Sequence, residues 1–100
     1  MSVQLAHPTT AAELVLRIEG RFDFRMNQEF RNAYETVAPG VRTIVVDLSR
    51  VDSIDSSALG MLLMMRDKAG GGRTIRLVGA KDTVKRILEI AKFDALFVVE

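Results

Sequence analysis

Two serines, Ser56 and Ser57, stand directly behind Asp55 in a 100-residue chain that holds one histidine and no cysteine. An apolar, β-branched run, Thr43-Ile44-Val45-Val46-Asp47, leads toward them, and a long apolar run from Ala58 to Ala69 leaves them. The hydroxyls therefore fall where a loop becomes a helix. A serine at such a place can cap the first backbone N–H groups. A phosphate there would meet the positive end of the helix dipole. The position can gain or lose about two negative charges without dismantling an element, which is the chemistry of a switch. On pattern alone the same residues also serve as an ordinary helix N-cap.

Other chemistry is poorly supplied. A nucleophilic Ser57 would need a base, yet the one histidine, His7, precedes Pro8 near the N-terminus. No G-x-S-x-G elbow surrounds Ser57, and no lysine follows until Lys68. One histidine, no cysteine and scattered acids give no expected metal site. Gly70-Gly71-Gly72 lacks the lysine and hydroxyl of a phosphate-binding loop. Asp47, at the end of the apolar run, resembles the acceptor of a response-regulator receiver, but the first strand carries no acidic pair to hold magnesium. The reading is of a protein that is not an enzyme and has no catalytic residue, cofactor or metal.

The formal net charge is +1, so nothing favours direct nucleic-acid binding or an acidic membrane. The absence of cysteine excludes a disulfide framework and fits a reducing compartment. Met1 to Leu5 shows no signal-peptide pattern. No apolar run approaches the ~20 residues of a membrane helix, so a cytoplasmic protein without membrane insertion is expected.

These residues must be positioned by a short run of alternating elements. Val3 to Ala6 predicts a strand, broken at His7-Pro8-Thr9-Thr10. Glu13 to Glu19 alternates, with Leu14, Leu16 and Ile18 on one face, and the two strands form a hairpin. Phe30, Ala33, Tyr34 and Val37 make a helical stripe after Asn27, stopped by Pro39-Gly40. Ile44 to Val46 is a central strand. A second helix covers Ser57 to Ala69, with Gly70 to Gly72 as its stop. A strand over Thr74 to Val78, a third helix with Val84, Ile87, Leu88 and Ala91 as its stripe, and a last strand over Leu96 to Val99 complete the pattern. This order predicts an α/β fold: one domain over residues 1–100, a mixed sheet with an N-terminal β-hairpin, parallel crossovers and three helices.

The second helix carries more apolar residues than one face can use. Leu59, Leu62 and Leu63 can face the sheet, and Met61, Met64 and Met65 cannot all join them. The surplus is either a wide buried stripe or an adaptable partner-binding patch. Asp23, between a strand and the first helix, reads alone as a turn former. Asp47 and Asp52, with Asp23 and Asp55, would make the serine loop negative. Lys81, Lys85, Arg86, Arg73 and Arg76 read as solvated charges.

The sequence resembles the STAS family, and within it the stand-alone anti-sigma factor antagonists. Asp55-Ser56-Ser57-Ala58-Leu59-Gly60 is similar to that family's D-S-S-G-L-G phosphorylation loop. Val46-Asp47-Leu48, Glu19-Gly20-Arg21-Phe22-Asp23 and Lys92-Phe93-Asp94-Ala95-Leu96-Phe97 support the likeness over almost the whole length. The resemblance implies a phosphorylation-switched protein. Its unphosphorylated form binds an anti-sigma factor that is also a serine kinase, the kinase phosphorylates it, the complex separates, and a serine phosphatase resets it. It implies Ser57 as acceptor, with Ser56 as the alternative and expected cap. It also implies a partner surface formed by Asp23, Asp55, Ser56, Ala58, Leu59, Met61 and Met65. Ala58 departs from the family's commoner glycine. The family's usual final helix has no counterpart after Val99, which leaves a sheet face for a partner or for a second copy in a homodimer. A second reading within the resemblance is a regulatory subunit of an ABC-type lipid transporter ATPase, with the serine loop used for docking.

Overall fold

The computed structural model describes residues 2–6, 12–35 and 37–100. Five strands, β1 (Ser2–Ala6), β2 (Glu13–Phe22), β3 (Thr43–Ile54), β4 (Thr74–Val78) and β5 (Val98–Val99), form one sheet in the order β1-β2-β3-β4-β5. β1 runs antiparallel to β2, and the other neighbours are parallel. Three helices make the crossovers: α1 (Asn27–Glu35), α2 (Ser56–Ala69) and α3 (Asp82–Ile90). The expected hairpin, parallel crossovers and three helices are all present; the break expected at His7 to Thr10 lies outside the described residues.

Each parallel connection joins neighbouring strands in the same direction, so right-handed crossovers put all three helices on one face. The burial pattern agrees. Leu14, Ile44 and Ile75 share one cross-strand row, and Leu16, Val46 and Leu77 the next. Those rows, with Ile18 and Leu48, pack into the core against Phe30, Leu62, Met65, Val84 and Leu88 from the helices. The alternate residues form the other face, where Arg17 meets Asp47 at 3.3 Å and Arg76 meets Glu100 at 2.7 Å.

Two strands are longer than expected. β2 continues to Phe22 and β3 to Ile54, because Glu19 to Phe22 pairs with Arg50 to Ile54 across two register shifts. Gly20, at φ 87°, supplies one irregular step. Asp47 consequently lies within a strand, tied to Arg17, and does not end it as a receiver acceptor would. β5 is shorter than expected because Phe93–Ala95 forms a 3-10 turn before it. In α3, Val84 and Leu88 are buried, while Ile87 lies at the surface, as does Ala91 just past the helix end.

The long ends of β2 and β3 deliver the chain to the site. Phe22, Phe30 and Tyr34 meet in tilted and edge-to-face contacts with ring centroids 5.3 and 5.5 Å apart, fixing the start of α1 against the end of β2. β3 delivers Asp55 directly to the start of α2.

Candidate functional site

Asp55 is the N-cap of α2, in extended conformation at φ −120°. Its Oδ1 accepts from the Ala58 backbone N–H at 3.0 Å and from the Ser57 hydroxyl at 2.6 Å. The cap is thus the aspartate, not Ser56 or Ser57, because the chain turns helical at Ser56. Ser56 is exposed and Ser57 partly exposed on the first turn. The Ser57 hydroxyl, followed by the Ala58 N–H, holds the Asp55 carboxyl below its ordinary pKa, while the charge of Asp23 opposes the shift.

Asp23 and Asp55 line one open cleft together with Arg21, Phe22, Ser53 and Ile54. It caps the 3-10 turn Phe24–Met26 by accepting from the Arg25 N–H at 3.0 Å. The Arg25 guanidinium grips both carboxylate oxygens, at 3.2, 3.2 and 2.8 Å. That bond holds the Asp23 carboxyl low in pKa. Asp23 therefore presents an ion pair and not a bare charge. Asp52 is taken by Lys81 at 3.1 Å and Asp47 by Arg17. The negative rim is consequently narrower than the four acids suggested.

The expected partner surface divides in two. Asp23, Asp55, Ser56 and Leu59 reach the surface wholly or in part. Ala58, Met61 and Met65 do not suit that role. With Leu62 and Ala69 they form the buried stripe of α2, Met61 being 5% and Met65 0% exposed. Spacing decides this: residues 58, 61, 62, 65 and 69 follow one helical face onto the sheet. The apolar surplus emerges at Met64, 49% exposed, and Leu63, 41% exposed.

Sequence reasoning missed a groove beside Ser57. It occupies about 410 Å³ between α1 and α2 and is lined by Phe24, Arg31, Tyr34, Ser57, Gly60, Met61, Met64 and Lys68, with Asn27 at its side. Only the edge of Met61 reaches it. Phe24 is 67% exposed, although its position off the Phe30-Ala33-Tyr34 stripe was a usable signal. So was the spacing of Ser57, Met61, Met64 and Lys68, which is one helical row. Arg73, read as a solvated charge, is instead a clamp. Its guanidinium donates to the carbonyls of Val41, Ala69 and Ala38 at 2.8, 2.8 and 3.2 Å. Among the described residues, no three His, Cys, Asp or Glu side chains cluster as a metal site. None of the described helices is long and apolar enough to cross a membrane.

A five-stranded sheet with helices on one face and a serine pair opening α2 narrows the comparison with known proteins. The family described as "Mlab, STAS domain" matches residues 5–100. The chain belongs to the STAS domain family. A STAS-domain-containing protein of Pseudomonas aeruginosa (strain UCBPP-PA14) is 46% identical over 98 residues, covering 97% of each chain. The anti-sigma factor antagonist SpoIIAA in its unphosphorylated form has the same fold, with a TM-score of 0.68 and 24% identity over 88% of this chain and 82% of that one. Its phosphorylated form, from Bacillus, gives 0.65 and 21% over 99% and 91%. A sulfate transporter family protein from Wolinella succinogenes gives 0.79 and 18% over 93% and 80%. The STAS fold is thus shared by sigma-linked and transporter-linked proteins.

Proposed function

We propose that this chain is an anti-sigma factor antagonist switched by phosphorylation of Ser57. The observation that carries the reading is the Ser57 hydroxyl itself: partly exposed, on the first turn of α2, and donating to the Asp55 carboxylate at 2.6 Å. A kinase that removes the hydroxyl proton meets an oxygen already oriented by an acceptor. The product places about −1.5 to −2 charge beside Asp55. The helix dipole favours that charge by about 0.3–1 kcal/mol, so the fold tolerates it. A partner seated over the site must desolvate both anions, which is far more costly. The unphosphorylated chain binds an anti-sigma factor with serine kinase activity, the phosphorylated chain is released, and a serine phosphatase restores it. On this reading the chain is a kinase substrate and performs no catalysis.

The test is intact-mass analysis of the protein recovered from its native cells, with fragmentation to locate the site. A mass gain of one phosphate on Ser57, absent in Ser57→Ala, is expected. Phosphate on Ser56 with Ser57 untouched overturns the assignment. Ser57→Asp should weaken partner binding while leaving the melt nearly unchanged. The match to the Mlab family and the fold shared with a sulfate transporter family protein favour a second reading, a regulatory subunit of a transporter ATPase. Under that reading Ser57 stays unmodified, and the gene lies beside a permease and an ATPase instead of a kinase and a phosphatase.

A further inference from the structure

Gly60 has no reason within the chain to be glycine. It lies inside α2, where glycine is the costliest residue after proline. Its φ is not positive, and a Cβ built on it meets nothing within 4 Å. The space it leaves opens into the groove between α1 and α2, next to Ser57. A bare helix surface lets another backbone come close.

We propose that this groove seats an α-helix of the partner protein, with an apolar ridge and an acidic flank, and that Gly60 is its point of closest approach. The inference rests on the partner-binding reading above and specifies the partner's chemistry. The groove runs along α2 from Ser57 to Lys68, about 16 Å at the helical rise per residue, enough for three turns of a docked helix. Phe24 and Met64 supply an apolar surface, both strongly exposed. Arg31 and Lys68 supply cations on opposite helices. Arg31 makes a surface pair with Glu35, which an acidic partner residue can replace. Ser57 stands at one end of this row, so a phosphate there repels an acidic helix and attracts a basic one. Only the acidic partner fits a switch that releases on phosphorylation.

The test uses the full chain in its native cells, with a photo-crosslinking amino acid at Met64 and, separately, at Arg21 beside Asp23 and Asp55. The Met64 probe should crosslink to a helical segment whose sequenced peptide alternates apolar and acidic residues at helical spacing. Gly60→Leu should cut that yield at least tenfold, and Lys68→Glu several-fold. Gly60→Ala should raise the thermal midpoint by several degrees while reducing the yield, which a merely structural glycine would not do. A crosslink from Arg21 with none from Met64 overturns the groove and leaves the antagonist reading standing. Silence at both positions overturns the two together. A crosslink to a second copy of this chain, to a basic segment, or one indifferent to Gly60→Leu and Gly60→Ala also overturns the proposal.

Discussion

At its N-terminal end α2 shows solvent an aspartate and two hydroxyls, the aspartate accepting from Ser57 and from the Ala58 N–H within the loop itself. At its C-terminal end the Arg73 guanidinium ties the Ala69 carbonyl to those of Val41 and Ala38, which precede β3. Both arrangements satisfy orphan groups of the same helix. The N-terminal one uses neighbours in sequence, so the chain can change there without disturbing distant elements. The C-terminal one recruits segments some thirty residues away and cannot change without loosening them. The helix is thus fastened at one end and free to be chemically altered at the other.

The largest contrast lies between the methionines on its two faces. Met65→Lys buries an unpaired charge and should cost about 4–5 kcal/mol, whereas Met64→Lys should stay within about 0.5 kcal/mol of the parent. Urea melts of the two variants measure this, and equal losses would erase the distinction between core and surface stripe. Arg73→Ala should cost about 2–3 kcal/mol, since three carbonyls lose a charged donor. Arg73→Lys should recover little, because one ammonium cannot span them; full rescue would reduce the clamp to a simple charge effect. At the other end Asp55→Ala should cost about 0.5–2 kcal/mol, with Asp55→Asn losing less because an acceptor remains.

The smallest effect is expected of Ser57→Ala: within about 0.5 kcal/mol in the melt, with phosphorylation abolished. A finer signature accompanies it. The Asp55 carboxyl is lowered in the folded state, first by the Ser57 hydroxyl. Its contribution is therefore present above the ordinary carboxylate pKa and is lost as pH falls through the lowered folded value. An NMR titration should show Asp55 titrating low in the parent and closer to its ordinary value in Ser57→Ala. An unchanged Asp55 titration would mean that the hydroxyl does not hold it.

Much of this was legible in the sequence wherever the signal was local. The period of Phe30, Ala33 and Tyr34, the β-branched run at Ile44 to Val46, and the glycines after Ala69 each act within a few residues. The end of β3 was not legible. Val51 to Ile54 becomes a strand only because Gly20 to Phe22 pairs with it across bulges. The choice of Asp55 over Ser56 as cap depends on that extension, which sets where the helix begins. Likewise the row of methionines showed a surplus but not its direction, since the sheet decides which side of α2 is inside. Arg73 looked solvated because its three acceptors are backbone carbonyls, which leave no mark on side-chain patterns.

The strand order has a consequence for how the molecule is made. Every strand pairs with its predecessor in the chain, Val15 with Val45 and Val45 with Arg76, and no strand is inserted between earlier ones. Each parallel closure therefore spans one α-helix, and its entropy cost stays modest. Each new parallel strand adds at an existing edge, so no completed pairing has to be undone. Two-residue β5 is the last addition to that edge, so the strands on either side of α2 pair without it.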